Sequence, residues 1–161
     1  MPVTYNSISS SVLSSTASTF TFSSIPQTYT DLVLIITGKD TTALNGFNIQ
    51  FNGDTATNYS RILVGGNASA GVSSLVANDN AIGAGLAGTS TSANIINIFN
   101  YSSTTVRKSV LARCASVTSN LVRLVGGAWR STAAITSITI TASTANYAAG
   151  TTFSLYGIKG A

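Results

Sequence analysis

The residues that could carry binding or catalytic chemistry are few and unevenly placed. The 161-residue chain has eight Lys and Arg, four acidic residues, no His and a single Trp. All four acidic residues precede residue 80, whereas five cations and the Trp fall within 107–130. These six candidates for partner binding are Arg107, Lys108, Arg113, Arg123, Arg130 and Trp129. Their chemistry is recognition of acidic groups, with the indole as a surface for stacking.

The segment 107–130 predicts a basic strip on neighbouring strands that docks on an acidic protein partner. A solvated strand face is the alternative interpretation. Binding to nucleic acid is not predicted, because the cations form no dense run and no RNA-binding signature is present. Trp129 follows Gly126-Gly127-Ala128, and it is either a platform for a sugar ring or a buried anchor. The anchor is favoured, since most Trp side chains are buried.

The missing residue types argue against catalysis. Without His, neither a Ser-His-Asp nor a Cys-His nucleophile system can form, and without Glu there is no HExxH metalloprotease motif. The acidic residues Asp31, Asp40, Asp54 and Asp79 are expected in turns or as loop caps. The single cysteine, Cys114, is expected to be a buried and inert thiol. We therefore expect no enzyme activity and no metal site.

Residues 83–88 match G-x-G-x-x-G. A dinucleotide site requires a helix directly after this motif and an acidic residue about 20 positions further on. Thr and Ser follow instead, and no acidic residue occurs after Asp79. This segment therefore predicts a loop, and no cofactor is expected.

Apolar and polar residues alternate with the period of β-strands along most of the chain. Phe47, Ile49 and Phe51 share one strand face, and Val110, Ala112 and Cys114 share another. No segment has the spacing of an amphipathic helix, and turn-forming residues separate the short runs. The sequence predicts one all-β domain over 1–161, an antiparallel two-sheet β-sandwich that is jelly-roll-like, with eight or nine strands. Residues 1–18 are an N-terminal arm or first strand, and 65–93 an irregular surface excursion.

Two strands carry apolar residues on both faces, at 32–36 and 95–99. A five-residue run such as 32–36 is far too short for a membrane span, which requires about 20 residues, so no membrane association is expected. A separate β-sandwich keeps one face of each strand in water. Apolar residues on both faces therefore indicate burial against other subunits or a larger surface.

Four segments resemble a family of small virion structural proteins of tailed bacteriophages, including phages of cyanobacteria. They are IPQTYTDLVL (25–34), IQFNGD (49–54) with NYS (58–60), WRSTAAITSI (129–138) and AGTTFSLYGIK (149–159). The final segment also resembles the last strand of trimeric jelly-roll modules. The resemblance carries over no functional residues, since the matching motifs are structural.

The resemblance implies a virion component without enzyme activity. The expected function is that of a capsid decoration (cement) protein, a homotrimer that binds the outer surface of the major capsid protein shell and stabilises it. Its expected location is the capsid exterior of the virion, assembled in the host cytoplasm. The alternative is a head-fibre or tail-appendage domain that adheres to host glycans, near Trp129 and residues 65–93.

Overall fold

The chain forms two antiparallel sheets that pack around one hydrophobic core. The computed structural model describes residues 5–42, 45–67, 69–117 and 120–159, which contain twelve strands and no helix. The larger sheet has eight strands, in the spatial order β1 (Tyr5–Val12), β12 (Thr152–Ile158), β3 (Asp31–Gly38), β8 (Ser92–Phe99), β9 (Lys108–Ser116), β10 (Leu121–Trp129), β5 (Tyr59–Gly66) and β6 (Gly71–Asp79). The smaller sheet has four, in the order β2 (Thr19–Phe22), β11 (Ile138–Ala142), β4 (Asn45–Phe51) and β7 (Ile82–Ala87).

The predicted alternation explains which side of each strand is buried. Phe47, Ile49 and Phe51 on β4 are all buried, as are Val110 and Ala112 on β9. These side chains belong to one cluster formed by the facing sides of the two sheets. The all-β class and the two antiparallel sheets are therefore confirmed.

Burial decreases along the larger sheet. β3, β8, β9 and β12 each contribute two or more buried side chains to the core cluster, and β10 contributes Val125 and Trp129. β5 contributes only Tyr59 among its described residues, and β6 contributes none. We call β9, β10, β5 and β6 the extension, because they continue the larger sheet beyond β8. The hairpin β5–β6 lies between β4 and β7 in the chain, and β9–β10 lies between β8 and β11.

The twelve described strands exceed the predicted eight or nine, and two predicted segments account for most of the difference. Within residues 1–18, of which 1–4 lie outside the described range, β1 pairs with β12, so the first-strand interpretation fits. Residues 65–93, predicted as an irregular excursion, contain the paired strands β6 and β7.

The G-x-G-x-x-G segment also differs from its predicted loop, because residues 83–87 lie in β7. The segment lacks the large apolar residues that indicate a strand, because side chains from neighbouring strands fill the space beside its glycines. A Cβ atom added to Gly85 would overlap the ring of Phe47. Ile82 and Ala84, at alternate positions, are buried in the core.

Candidate functional site

The predicted basic strip does not form a single surface. Cys114 pairs with Arg123, and Arg113 pairs with Leu124, across β9 and β10. Since directly paired residues share a face and neighbours along a strand alternate, Arg113 and Arg123 lie on opposite faces of the sheet. Arg113 is exposed on the face that points away from the smaller sheet, which we call the outer face. Arg123 is half-buried on the inner face.

Lys108 is a buried structural residue, which corrects its prediction as a partner-binding one. Its side chain is 1% exposed, and Nζ donates hydrogen bonds to the carbonyl oxygens of Ser103, Val106 and Thr132 at 2.7, 2.6 and 3.0 Å. Burial lowers the pKa of its ammonium group below the usual 10.5. The sequence indicates this burial, because Lys108 is two positions from buried Val110 and therefore lies on the same face of the strand.

Trp129 is a buried anchor, so the sugar-stacking platform is not present. Its ring packs against Phe51 and Tyr59, with centroids 5.5 and 6.3 Å away. Nε1 donates a 2.7 Å hydrogen bond to the Asp54 carboxylate. This bond is the largest influence that lowers the pKa of Asp54, and the Asn58 amide adds to it. The cluster connects the end of β4 to the start of β5 and the end of β10.

The turn prediction at Asp54 explains how this carboxylate reaches the indole. Asn52 and Gly53 both have positive φ, of 54° and 67°, and the Asp54 amide donates a 2.9 Å hydrogen bond to the Phe51 carbonyl. An Asn-Gly pair with two positive φ values forms the type I′ turn.

Arg107 and Arg130 complete the predicted set. Arg107 is exposed in the loop before β9. The guanidinium of Arg130 donates hydrogen bonds to the Thr57 carbonyl and to Oδ1 of Asn78, the latter at 2.8 Å. Arg130 therefore connects the loop before β5 to the end of β6. Of the six candidates, Arg107 and Arg113 are the exposed ones.

The outer face of the extension carries, besides Arg113, an apolar surface that the predicted site did not include. Five large apolar side chains lie on it, each 47–74% exposed: Ile62, Val64, Leu75, Val122 and Leu124. The register places them together, because Leu124 pairs with Val64 and Ile62 pairs with Leu75. The available signal was adjacent apolar residues, at 62–64 in β5 and at 121–122 and 124–125 in β10, since a half-buried strand should alternate.

An open groove of about 580 Å³ runs over part of this face. Val64, Ile95, Val122 and Leu124 line it together with Arg113. None of the acidic residues lies on the extension strands' outer face, because Asp79 is on the inner side with Arg61 and the other three precede β5. This face therefore offers apolar area with one cation.

The carboxylates of Asp31, Asp54 and Asp79 each have a structural partner of their own rather than a common site. The carboxylate of Asp31 accepts a 2.7 Å hydrogen bond from the backbone amide of Asn100, and Asp79 forms an ion pair with Arg61. The backbone of Asp40, which is buried, bonds to the carbonyl of Gly88. Within the described residues no three His, Cys, Asp or Glu side chains come close enough to hold a metal ion. Cys114 is buried, as predicted.

Comparisons with protein families, with curated proteins and with solved structures find no match to this chain. Within the part of the chain that the structure describes, no helix is long and apolar enough to cross a membrane.

Proposed function

We propose that this chain is a structural protein of a tailed-phage virion, a capsid decoration protein that binds the outer surface of the major capsid protein shell and stabilises it. The observation that carries the proposal is the exposed apolar outer face of the extension. Large contiguous apolar surfaces on soluble proteins mark sites of protein association. The resemblance of four segments to small virion proteins suggests that the assembly is a virion. The proposal assigns no catalysis.

The proposed fold is a jelly roll with two inserted hairpins. The strand orders β1-β12-β3-β8 and β2-β11-β4-β7 support it. They pair the first strand with the last and the second with the last but one, as a chain does when it is wound as a double Greek key. The hairpins β5–β6 and β9–β10 then add the extension beside β8. The insertions carry the exposed apolar face.

The charge on the outer face indicates which kind of partner binds there. A second copy placed face to face would bring no carboxylate to Arg113, because the extension strands' outer face has none. A partner with acidic groups around an apolar patch would satisfy both the arginine and the apolar side chains. We therefore assign the outer face to the shell, and we expect the predicted homotrimer to form through other surfaces.

The test is reconstitution on shells that lack this protein. Purified chain is added to such shells, and copies bound per shell are measured by sedimentation and electron cryomicroscopy. The wild type should bind at lattice positions, whereas Leu124→Asp and Arg113→Glu should bind at least tenfold more weakly. Arg107→Glu is the matched control, since Arg107 is exposed but lies outside the outer face.

Lattice binding that survives both outer-face substitutions would reject this docking face. Virions that contain only a few copies, or none on the capsid, would reject decoration itself. Native mass spectrometry of the free protein tests the trimer, for which a single species of three chains is expected.

The alternative, a head-fibre or tail-appendage domain that adheres to host glycans, has lost its predicted platform because Trp129 is buried. A glycan array with wild-type protein tests this alternative directly. Glycan binding together with a position away from the capsid lattice would favour it over decoration.

A further inference from the structure

A polar cavity of about 380 Å³ lies where the smaller sheet meets the extension. Arg61 on β5 and Arg123 on β10 line it, together with Asn48 on β4 and Ser143 after β11. Glycine residues at 46, 83 and 85 form further parts of the wall. The strand register directs Arg61 and Arg123 to the inner side of the extension, opposite the outer face, although both residues also border grooves on that outer face.

The strand register brings the two arginines to one cavity. Arg61 pairs with Gly127, and Arg123 pairs with Gly65, on the inner side of adjacent strands. The side chain of each arginine also lies directly over a glycine. A Cβ atom on Gly65 would lie 2.8 Å from Cγ of Arg123, and one on Gly83 would overlap the guanidinium of Arg61. The missing side chains give both arginines room to lie along the sheet.

Both guanidinium groups have hydrogen-bonding capacity left. Nε of Arg123 is buried and has no hydrogen-bond partner among the described residues. Arg61 approaches Asp79 with 3.6 Å between Nη1 and Oδ2, which is longer than a charge-assisted hydrogen bond. Buried donors in folded proteins are normally satisfied. The arginines that line the cavity therefore have donors that lack an acceptor among the described residues.

We propose that this cavity binds a small oxyanion: a phosphate, a sulfate or the carboxylate of a small acidic molecule. Two arginines and one aspartate leave a net charge of +1 beside the cavity. The planar guanidinium matches such anions, because its N–H groups donate to two oxygens at once. Asn48 and Ser143 add an amide and a hydroxyl for the remaining oxygens.

The test is a titration of the full chain, labelled with ¹⁵N, at constant ionic strength. Sodium sulfate is one probe and sodium glucuronate, a carboxylate on a sugar, is the other, with sodium chloride as the balancing salt. The Nε–Hε resonance of Arg123 should shift and saturate with at least one probe, while that of Arg113 should not. Tighter binding of sulfate assigns an inorganic ion, and tighter binding of glucuronate assigns an acidic sugar.

Variants locate the site. Arg123→Gln and Arg61→Gln should each weaken binding at least tenfold, whereas Arg113→Gln, on the outer face, should change it less than twofold. The absence of any saturable shift at Arg123 in the wild type would overturn the proposal, whether or not the variants fold. An equal loss of binding in Arg113→Gln would also overturn it, since the effect would then be one of overall charge.

Discussion

Two four-strand layers, β1-β12-β3-β8 and β2-β11-β4-β7, face each other, and the extension continues one of them. Strands in the layers and in the extension both carry apolar side chains, but these side chains differ in burial. In β4 the large side chains Phe47, Ile49 and Phe51 are enclosed by the facing sheet. In β5 and β6 the apolar side chains Ile62, Val64 and Leu75 point away from it and stay exposed. Apolar residues in this chain therefore lie in two environments: one set is buried in the core, and the other is exposed on the outer face to which we assign the proposed docking. Substitutions in the two regions should separate them.

The largest effect is expected in the enclosed region. Phe51→Ala should lower the free energy of unfolding by about 3–5 kcal/mol, because it removes a fully buried aromatic side chain that packs on Tyr59 and Trp129. Denaturant unfolding followed by circular dichroism measures the change. A loss below about 1 kcal/mol would contradict the position of Phe51 in the core.

The next effect is expected where the extension starts. Lys108→Met keeps the length of the side chain but leaves three loop carbonyls without their donor. We expect a loss of about 2–4 kcal/mol of stability, since the substitution removes three hydrogen bonds from a charged donor. Lys159→Met is the matched control, because Lys159 is exposed and should tolerate the same change. Equal stability of the two variants would argue against a structural lysine.

A smaller effect is expected at the junction between the two regions. Asp54→Asn keeps the shape but removes the charge that strengthens the hydrogen bonds from Trp129 and Asn58, for a loss of about 1 kcal/mol at pH 7. The folded-state pKa of Asp54 lies below its ordinary value of 3.8. Its stabilisation is therefore complete above pH 3.8 and is lost as the pH falls through the folded-state pKa.

Unfolding measured between pH 2 and 7 tests this sign. The wild type and Asp54→Asn should differ most near neutrality and converge in acid. A difference that grows as the pH falls would contradict the assignment.

The smallest effect is expected on the outer face. Leu75→Ser should change stability by no more than about 0.5 kcal/mol, because Leu75 is 74% exposed. Thermal unfolding of the free protein checks this value. A large loss would place Leu75 in the folding core of the free chain and would weaken the division between folding and docking.

The sequence predicts strand faces well, because alternation along one strand is a local property. The parity of Val110, Ala112 and Cys114 is confirmed by their burial. The same rule would have placed Lys108 among the buried residues, had it been applied to the cations as well. The β7 strand was harder to detect, because the large side chain that fills its space, Phe47, is distant in sequence.

The grouping of cations depends on register between strands, which is not local. Arg113 and Arg123 are close in sequence, but the pairing of β9 with β10 puts them on opposite faces. Arg61 and Arg123 are far apart in sequence, and the pairing of β5 with β10 brings them to one cavity. The predicted strip does not form one surface, because residues that are close in sequence can lie on opposite faces of a sheet.

The pairing of β1 with β12 has a consequence for synthesis on the ribosome. Ser10 and Ser154 are hydrogen-bonded neighbours although 144 residues separate them. β1 therefore leaves the ribosome long before its partner β12 is synthesised. The edge of β3 that pairs with β12 also has no partner until then. Such long-range pairing slows folding. A nascent chain stopped before residue 152 has no β12 and exposes the edges of both earlier strands, and unpaired strand edges promote association with other chains.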